Sequence, residues 1–181
     1  MPRINKTRYA ILGLLHYSPM SGYDIKKMTD RSISYFWQEN YGHIYPVLKK
    51  MEKEGLVTSR KEEHAGNPPR IVYTLTEKGD RVFTGWMKDR TEPYIQKSEL
   101  LLKLFFGRYS DKENIRKQLE EEMKHHENLV DEYETIRKHL NNDHNSPDHV
   151  PYWLLTLKNG LYFSKAQIEW CRDCLSELDN I

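Results

Sequence analysis

The segment from Tyr41 to Gly79 constrains this chain more than any other. Ile44, Val47, Leu48 and Met51 fall at i, i+3, i+4 and i+7, the spacing of one apolar helical face. The opposite face carries His43, Tyr45, Lys49, Lys50 and Lys53. Pro46 has no amide hydrogen and fits unkinked only in a first turn, so this helix begins near residues 41–43. Gly55 supplies the left-handed residue that stops it. Leu56 and Val57 open a strand, residues 65–69 (Ala-Gly-Asn-Pro-Pro) turn the chain, and Ile71 to Leu75 return. Thr76 is a suitable N-cap for a further helix to about Arg90, with Phe83, Trp86 and Met87 on its inner side.

Upstream, Tyr9 to Leu15 reads as a buried helix, broken at Ser18-Pro19-Met20. Ser21 and Asp24 have the spacing of a capping box that opens a second helix from about Gly22 to Arg31. Three to four helices and a two-stranded wing in this order describe a winged helix-turn-helix. In such a head the third helix enters the DNA major groove and the ribbon touches the backbone beside it.

Thr91-Glu92-Pro93 marks the expected boundary between a head, residues 1–90, and a second domain, residues 91–181. Everything beyond it reads as helical, so the fold class is mainly α. Leu100 to Phe106 is almost wholly apolar and predicts a helix buried on most sides. Ser110 and Glu113 have capping-box spacing before a helix of roughly thirty residues. Positions 115, 119, 122, 126, 129, 133, 136 and 140 step by four and three, as do 154, 157, 161, 164, 168, 171, 175 and 178. Two such seams can pack on each other or on a second chain. Their length beside a compact head favours a dimerisation arm.

Charge divides the chain in the same way. Residues 1–90 hold 16 Lys/Arg and 10 Asp/Glu, whereas residues 91–181 hold 12 and 17. A basic half joined to an acidic one suits a nucleic-acid module beside a module that avoids nucleic acid. With 38% hydrophobic, 30% charged and 12% aromatic residues, the composition is that of a soluble globular protein. No apolar run approaches the roughly 18 residues of a membrane span, and no signal peptide is read at the start. Two cysteines without an export signal suggest a reducing cytoplasm.

The residues Tyr9–Leu15, Ser21–Ile25, Ile44–Val57 (Ile-Tyr-Pro-Val-Leu-Lys-Lys-Met-Glu-Lys-Glu-Gly-Leu-Val) and Tyr73–Gly79 (Tyr-Thr-Leu-Thr-Glu-Lys-Gly) resemble the PadR family of bacterial transcriptional regulators. The third stretch, with Tyr-Pro early in the recognition helix, is the most specific. The strong motifs cover about the first 80 residues, and the tail has the length and layout of the longer-tailed members. The resemblance implies a homodimer, often a repressor, that binds an inverted-repeat operator in double-stranded DNA and is released by a small molecule or stress signal. The sequence carries no Gly-rich phosphate loop and no nucleophile motif, so neither a cofactor nor catalytic activity is expected.

Candidate DNA contacts follow from the fold position. Tyr45, Lys49 and Lys50 lie on the polar face of the third helix and His43 near its start. Lys can bind phosphate or guanine, and Tyr can reach phosphate or a thymine methyl. Lys61 and Arg70 flank the wing, with Arg60 beside them. Tyr23 stands where the family packs a tyrosine between helix and DNA backbone. Tyr94, Tyr152, Trp153 and Tyr162 are candidates for a pocket that takes a small aromatic effector. Cys171 and Cys174 leave two alternatives open, a thiol redox or metal sensor on the same scaffold and a thiol oxidoreductase. A catalytic Cys-x-x-Cys belongs at a helix start, where the dipole lowers the thiol pKa; this one lies late in a long helix. The histidines at 125, 126, 139, 144 and 149 lack tight ligand spacing, so no metal site is expected.

Overall fold

Helix α1 (Thr7–Leu15) buries Ile11, Leu12, Leu14 and Leu15. A computed structural model describes residues 6–37, 44–64, 67–93, 97–143 and 146–180, and the chain divides into two units, 1–93 and 94–181. After α1 come β1 (Met20–Ser21) and α2 (Gly22–Arg31). The capping box at the start of α2 is formed as read. The Asp24 amide donates to Ser21 Oγ at 3.2 Å, and the Ser21 amide donates to Asp24 Oδ2 at 3.1 Å. Buried Thr29 satisfies its hydroxyl by donating to the Ile25 carbonyl at 2.9 Å.

Helix α3 (Ile44–Lys53) buries Ile44, Leu48 and Met51, with Val47 packed beside them. Its start, expected near residues 41–43, lies outside the described residues. Its end is a Schellman motif: the Gly55 amide donates to the Glu52 carbonyl and the Leu56 amide to the Met51 carbonyl, both at 2.9 Å. Gly55 has φ 71°, in the left-handed region where glycine carries no Cβ penalty.

The wing strands β2 (Val57–His64) and β3 (Asn67–Leu75) pair antiparallel, with Val57 opposite Leu75 and Lys61 opposite Ile71. Short β1 adds a third strand on the far side of β3, with Ser21 opposite Val72. Two residues carry no period, so this strand could not be read from sequence. Helix α4 (Glu77–Trp86) is capped by Thr76, whose Oγ1 accepts from the Gly79 amide at 3.0 Å. The same hydroxyl lies 2.8 Å from the Gly55 carbonyl oxygen, which ties the α3 stop to the α4 start. Phe83 packs on the core and Trp86 stacks on Tyr9, with centroids 4.5 Å apart. Met87, expected on the inner side, is the C-cap of α4 and is 63% exposed.

The second unit holds α5 (Glu99–Phe105), a 3₁₀ turn (Gly107–Tyr109), α6 (Lys112–Asn141) and α7 (Val150–Leu178). The thirty-residue helix is present, but Asp111, not Ser110, is its N-cap, accepting from the Asn114 amide at 2.7 Å. The Ser110 hydroxyl instead accepts from the Asn114 side-chain amide. Helices α6 and α7 form an antiparallel hairpin. Leu119, His126 and Tyr133 of the first seam are buried against Leu161, Ser164, Ile168, Cys171 and Leu178 of the second. Tyr133 fits because Gly160 has no side chain; a Cβ there would stand 2.9 Å from the ring. Of the two packings open to the seams, the hairpin uses the first, closing their centres on each other while Ile115, Leu129, Leu154 and Leu157 stay half-buried. A further expectation fails, at α5. It buries no residue, and Phe105 is 82% exposed.

Candidate nucleic-acid interface

With Ile44, Leu48 and Met51 sealed in the core, α3 has one orientation and turns the opposite face outward. Tyr45 and Lys49, four residues apart on that face, are exposed together with Lys50. Lys50 Nζ lies 4.0 Å from Glu54, while Lys49 has no ion pair among the described residues. The Tyr45 ring lies across the start of α2, where a Cβ on Gly22 would stand 2.6 Å from ring Cε1. Gly22 thus lets the two helices approach with the ring between them. Tyr23, the next residue, is exposed. His43 lies outside the described residues.

The root of the wing carries a chain of alternating charges that links it to α2. Arg60 donates to Glu62 Oε1 from Nε at 3.0 Å and Nη2 at 2.6 Å. Arg70 approaches Glu62 Oε2 at 3.4 Å and, through Nη1, Asp24 Oδ2 at 3.6 Å. Asp24 Oδ2 also accepts from the Ser21 hydroxyl at 2.7 Å. That hydroxyl bond is the chief reason the Asp24 carboxyl is held below its ordinary pKa, with Arg70 contributing. Glu62 is held down mainly by its bonds to Arg60. Two bases and two acids cancel, so Arg70 is engaged by carboxylates before any ligand arrives. Lys61 points from the other strand face, beside exposed Ile71, and has no ion pair among the described residues. Glu62 carries no role in the sequence pattern, and Asp24 is legible there only as the acid of the capping box. The alternation of Arg60 and Glu62 on one strand face was the available signal, but the partners eight and more residues away were not.

The effector candidates are not gathered into one pocket among the described residues. Tyr152 is exposed near the start of α7, and Trp153 stacks on His149 with centroids 5.6 Å apart. Tyr162 lies about 15 Å further along the helix axis. There it sits under Lys158 Nζ (5.6 Å to the centroid) and lines an open groove of ≈ 340 Å³ with Leu154, Leu157 and Leu161. Tyr94 lies outside the described residues. Cys171 is fully buried in the hairpin, where burial pushes its thiol up to about 11. A thiol so placed is protonated and inert at neutral pH, so the structure gives no support to the redox alternatives. No cluster of three metal-ligating side chains occurs among the described residues, and none of their helices is long and apolar enough to cross a membrane.

The PadR-like transcriptional regulator family matches residues 11–85, and the C-terminal domain of the virulence activator alpha family matches residues 96–179. The negative transcriptional regulator PadR of Bacillus subtilis is 30% identical over 178 residues, spanning 95% of this chain and 97% of that protein. The chain belongs to the PadR-like family of transcriptional regulators. Among solved structures, Bacillus subtilis PadR in complex with operator DNA superposes with a TM-score of 0.82 at 27% identity, over 95% of this chain and 98% of that one. The same relative is known in complex with p-coumaric acid (TM-score 0.76, 27% identity, 95% and 98% covered). The Vibrio cholerae virulence activator AphA superposes at 0.73 with 28% identity, over 96% and 98%. The first match runs from within α1 to within α4, and the second takes in the helices α5 to α7.

Proposed function

We propose that this regulator binds an inverted-repeat operator as a homodimer and represses from it, with residues 1–90 as the DNA-binding domain and 91–181 as the dimerisation and effector domain. The observation that carries the reading is α3: a buried apolar face holds Tyr45, Lys49 and Lys50 outward beside a wing. Tyr23, His43, Tyr45, Lys49, Lys50, Lys61 and Arg70 are the proposed DNA contacts. A small aromatic effector, acting through Tyr94, Tyr152, Trp153 or Tyr162, relieves repression. A related protein in complex with p-coumaric acid supports that part. The protein works in the cytoplasm without cofactor or catalysis. Binding-site selection with the full chain tests the reading, followed by titrations over a range of salt. Lys49→Ala and Lys50→Ala should each weaken binding to all sequences and flatten the salt dependence by roughly one unit of slope. Tyr45→Ala should instead discriminate less between operator and random DNA. Unchanged operator affinity in all three variants would mean that another element reads the DNA.

A further inference from the structure

The charge chain at the wing root does more than hold the wing. We propose that Glu62 is an internal competitor of the DNA backbone: its carboxylate occupies Arg60 and Arg70 and so attenuates binding to DNA of any sequence. The inference rests on the proposed function, because it takes the wing to lie along a phosphate backbone.

Three observations carry it. Both Glu62 oxygens are taken, Oε1 by two nitrogens of Arg60 and Oε2 by Arg70. Arg70 is held a second time by Asp24, whose oxygen is itself fixed in the capping box of α2. Lys61, one residue away on the opposite strand face, has no such partner among the described residues, so the neutralisation falls on one face of the ribbon. A phosphate that takes either arginine must displace a carboxylate or leave it unpaired beside the DNA. Each phosphate contact releases counterions and adds about 0.9 to the salt slope, and such contacts carry no sequence information. An acid that competes for two of them lowers affinity for operator and random DNA alike. It keeps non-specific retention low while α3 reads the bases.

The test compares Glu62→Gln with Glu63→Gln by anisotropy titration on the selected operator and on a random duplex, between about 50 and 200 mM salt. The second variant removes the same formal charge one residue away, outside the chain of ion pairs. Exposed ion pairs are individually weak, and Glu62 makes two of them. Glu62→Gln should therefore bind both duplexes about three- to tenfold more tightly and with a steeper salt slope, and Glu63→Gln should gain less. A second arm reads the competition directly. Arg60→Gln should cost more operator affinity in the Glu62→Gln background, where the guanidinium is free to meet phosphate, than in the wild-type background, where Glu62 holds it. Glu62→Gln binding no better than wild type, or no better than Glu63→Gln, overturns the proposal, as does an equal cost of Arg60→Gln in both backgrounds. If wild type selects no DNA at all, the proposed function falls first and this inference with it. If wild type binds and Glu62→Gln gains nothing, the inference falls alone.

Discussion

At the scale of single residues, His126 is the most unusual member of the hairpin core. It occupies a seam position where a coiled coil wants an apolar side chain, and it is almost fully buried. Its ring is satisfied on both sides, with Nδ1 3.2 Å from Ser164 Oγ on α7 and Nε2 3.3 Å from Glu122 Oε1 on its own helix. His125 on α6 and the Phe163 ring on α7 complete its surroundings. Burial lowers the His126 pKa, and Glu122 only partly opposes it. A folded pKa below the unfolded one means that the unfolded chain binds the proton more tightly. The stabilising contribution is present above the unfolded value of about 6.5 and is lost as pH falls through the folded one. Thermal melts of wild type should therefore fall more steeply from pH 8 to pH 5.5 than melts of His126→Leu. Parallel curves would show that other groups govern the acid limb. The sequence revealed that positions 126 and 164 were polar members of their seams. It could not reveal that they meet, because 38 residues separate them.

At the scale of elements, what was legible in the sequence was local. The box at Ser21 and Asp24, the Gly55 stop and the Thr76 cap each depend on residues within one turn, and all three form as read. What failed depended on distant partners. The apolar run at Leu100 to Phe106 predicts burial, but burial requires a covering surface, and the described residues only half-bury Leu100 and Leu104 and leave Leu101, Leu102, Phe105 and Phe106 exposed. The two glycines of α4 give a test of how tightly the head is assembled. A Cβ on Gly79 would stand 2.2 Å from the Leu56 carbonyl oxygen, a backbone atom fixed by the Schellman turn and the Thr76 cap. A Cβ on Gly85 would meet nothing within 4 Å. Gly79→Ala should cost about 2 kcal/mol or more, since the neighbour cannot give way, whereas Gly85→Ala should be neutral or gain up to about 1 kcal/mol in helix propensity. Urea unfolding of the two variants checks this. Equal midpoints would mean that α4 can slide away from β2 at little cost.

At the scale of the whole molecule, the open question is what covers the apolar surface that one chain leaves bare. The seams of α6 and α7 bury their centres on each other and leave Ile115, Leu129, Leu154 and Leu157 half-buried, so the barest apolar surface lies elsewhere. That surface is made by Leu101, Leu102, Phe105, Phe106 and Tyr109, all more than half exposed. Leu102, Phe106 and Tyr109 also line an open groove of ≈ 460 Å³ with Ile115 of α6. Monomeric proteins seldom leave so many large apolar side chains together in water, and a symmetric pair of chains would bury them twice over. Light scattering at micromolar concentration should therefore give about twice the 21.7 kDa chain mass. Phe105→Glu, which places a charge at the most exposed of the phenylalanines, should shift the mass towards one chain while far-ultraviolet dichroism stays unchanged. The consequence reaches the DNA. A two-fold regulator gains its operator affinity by holding two recognition helices about 34–36 Å apart. A monomer keeps only one half-site and should lose on the order of 100-fold or more in operator affinity. Its salt dependence per half-site should remain, because α3 and the wing are untouched. A Phe105→Glu protein that is monomeric yet binds the full operator as tightly as wild type would show that dimerisation is not what sets the affinity.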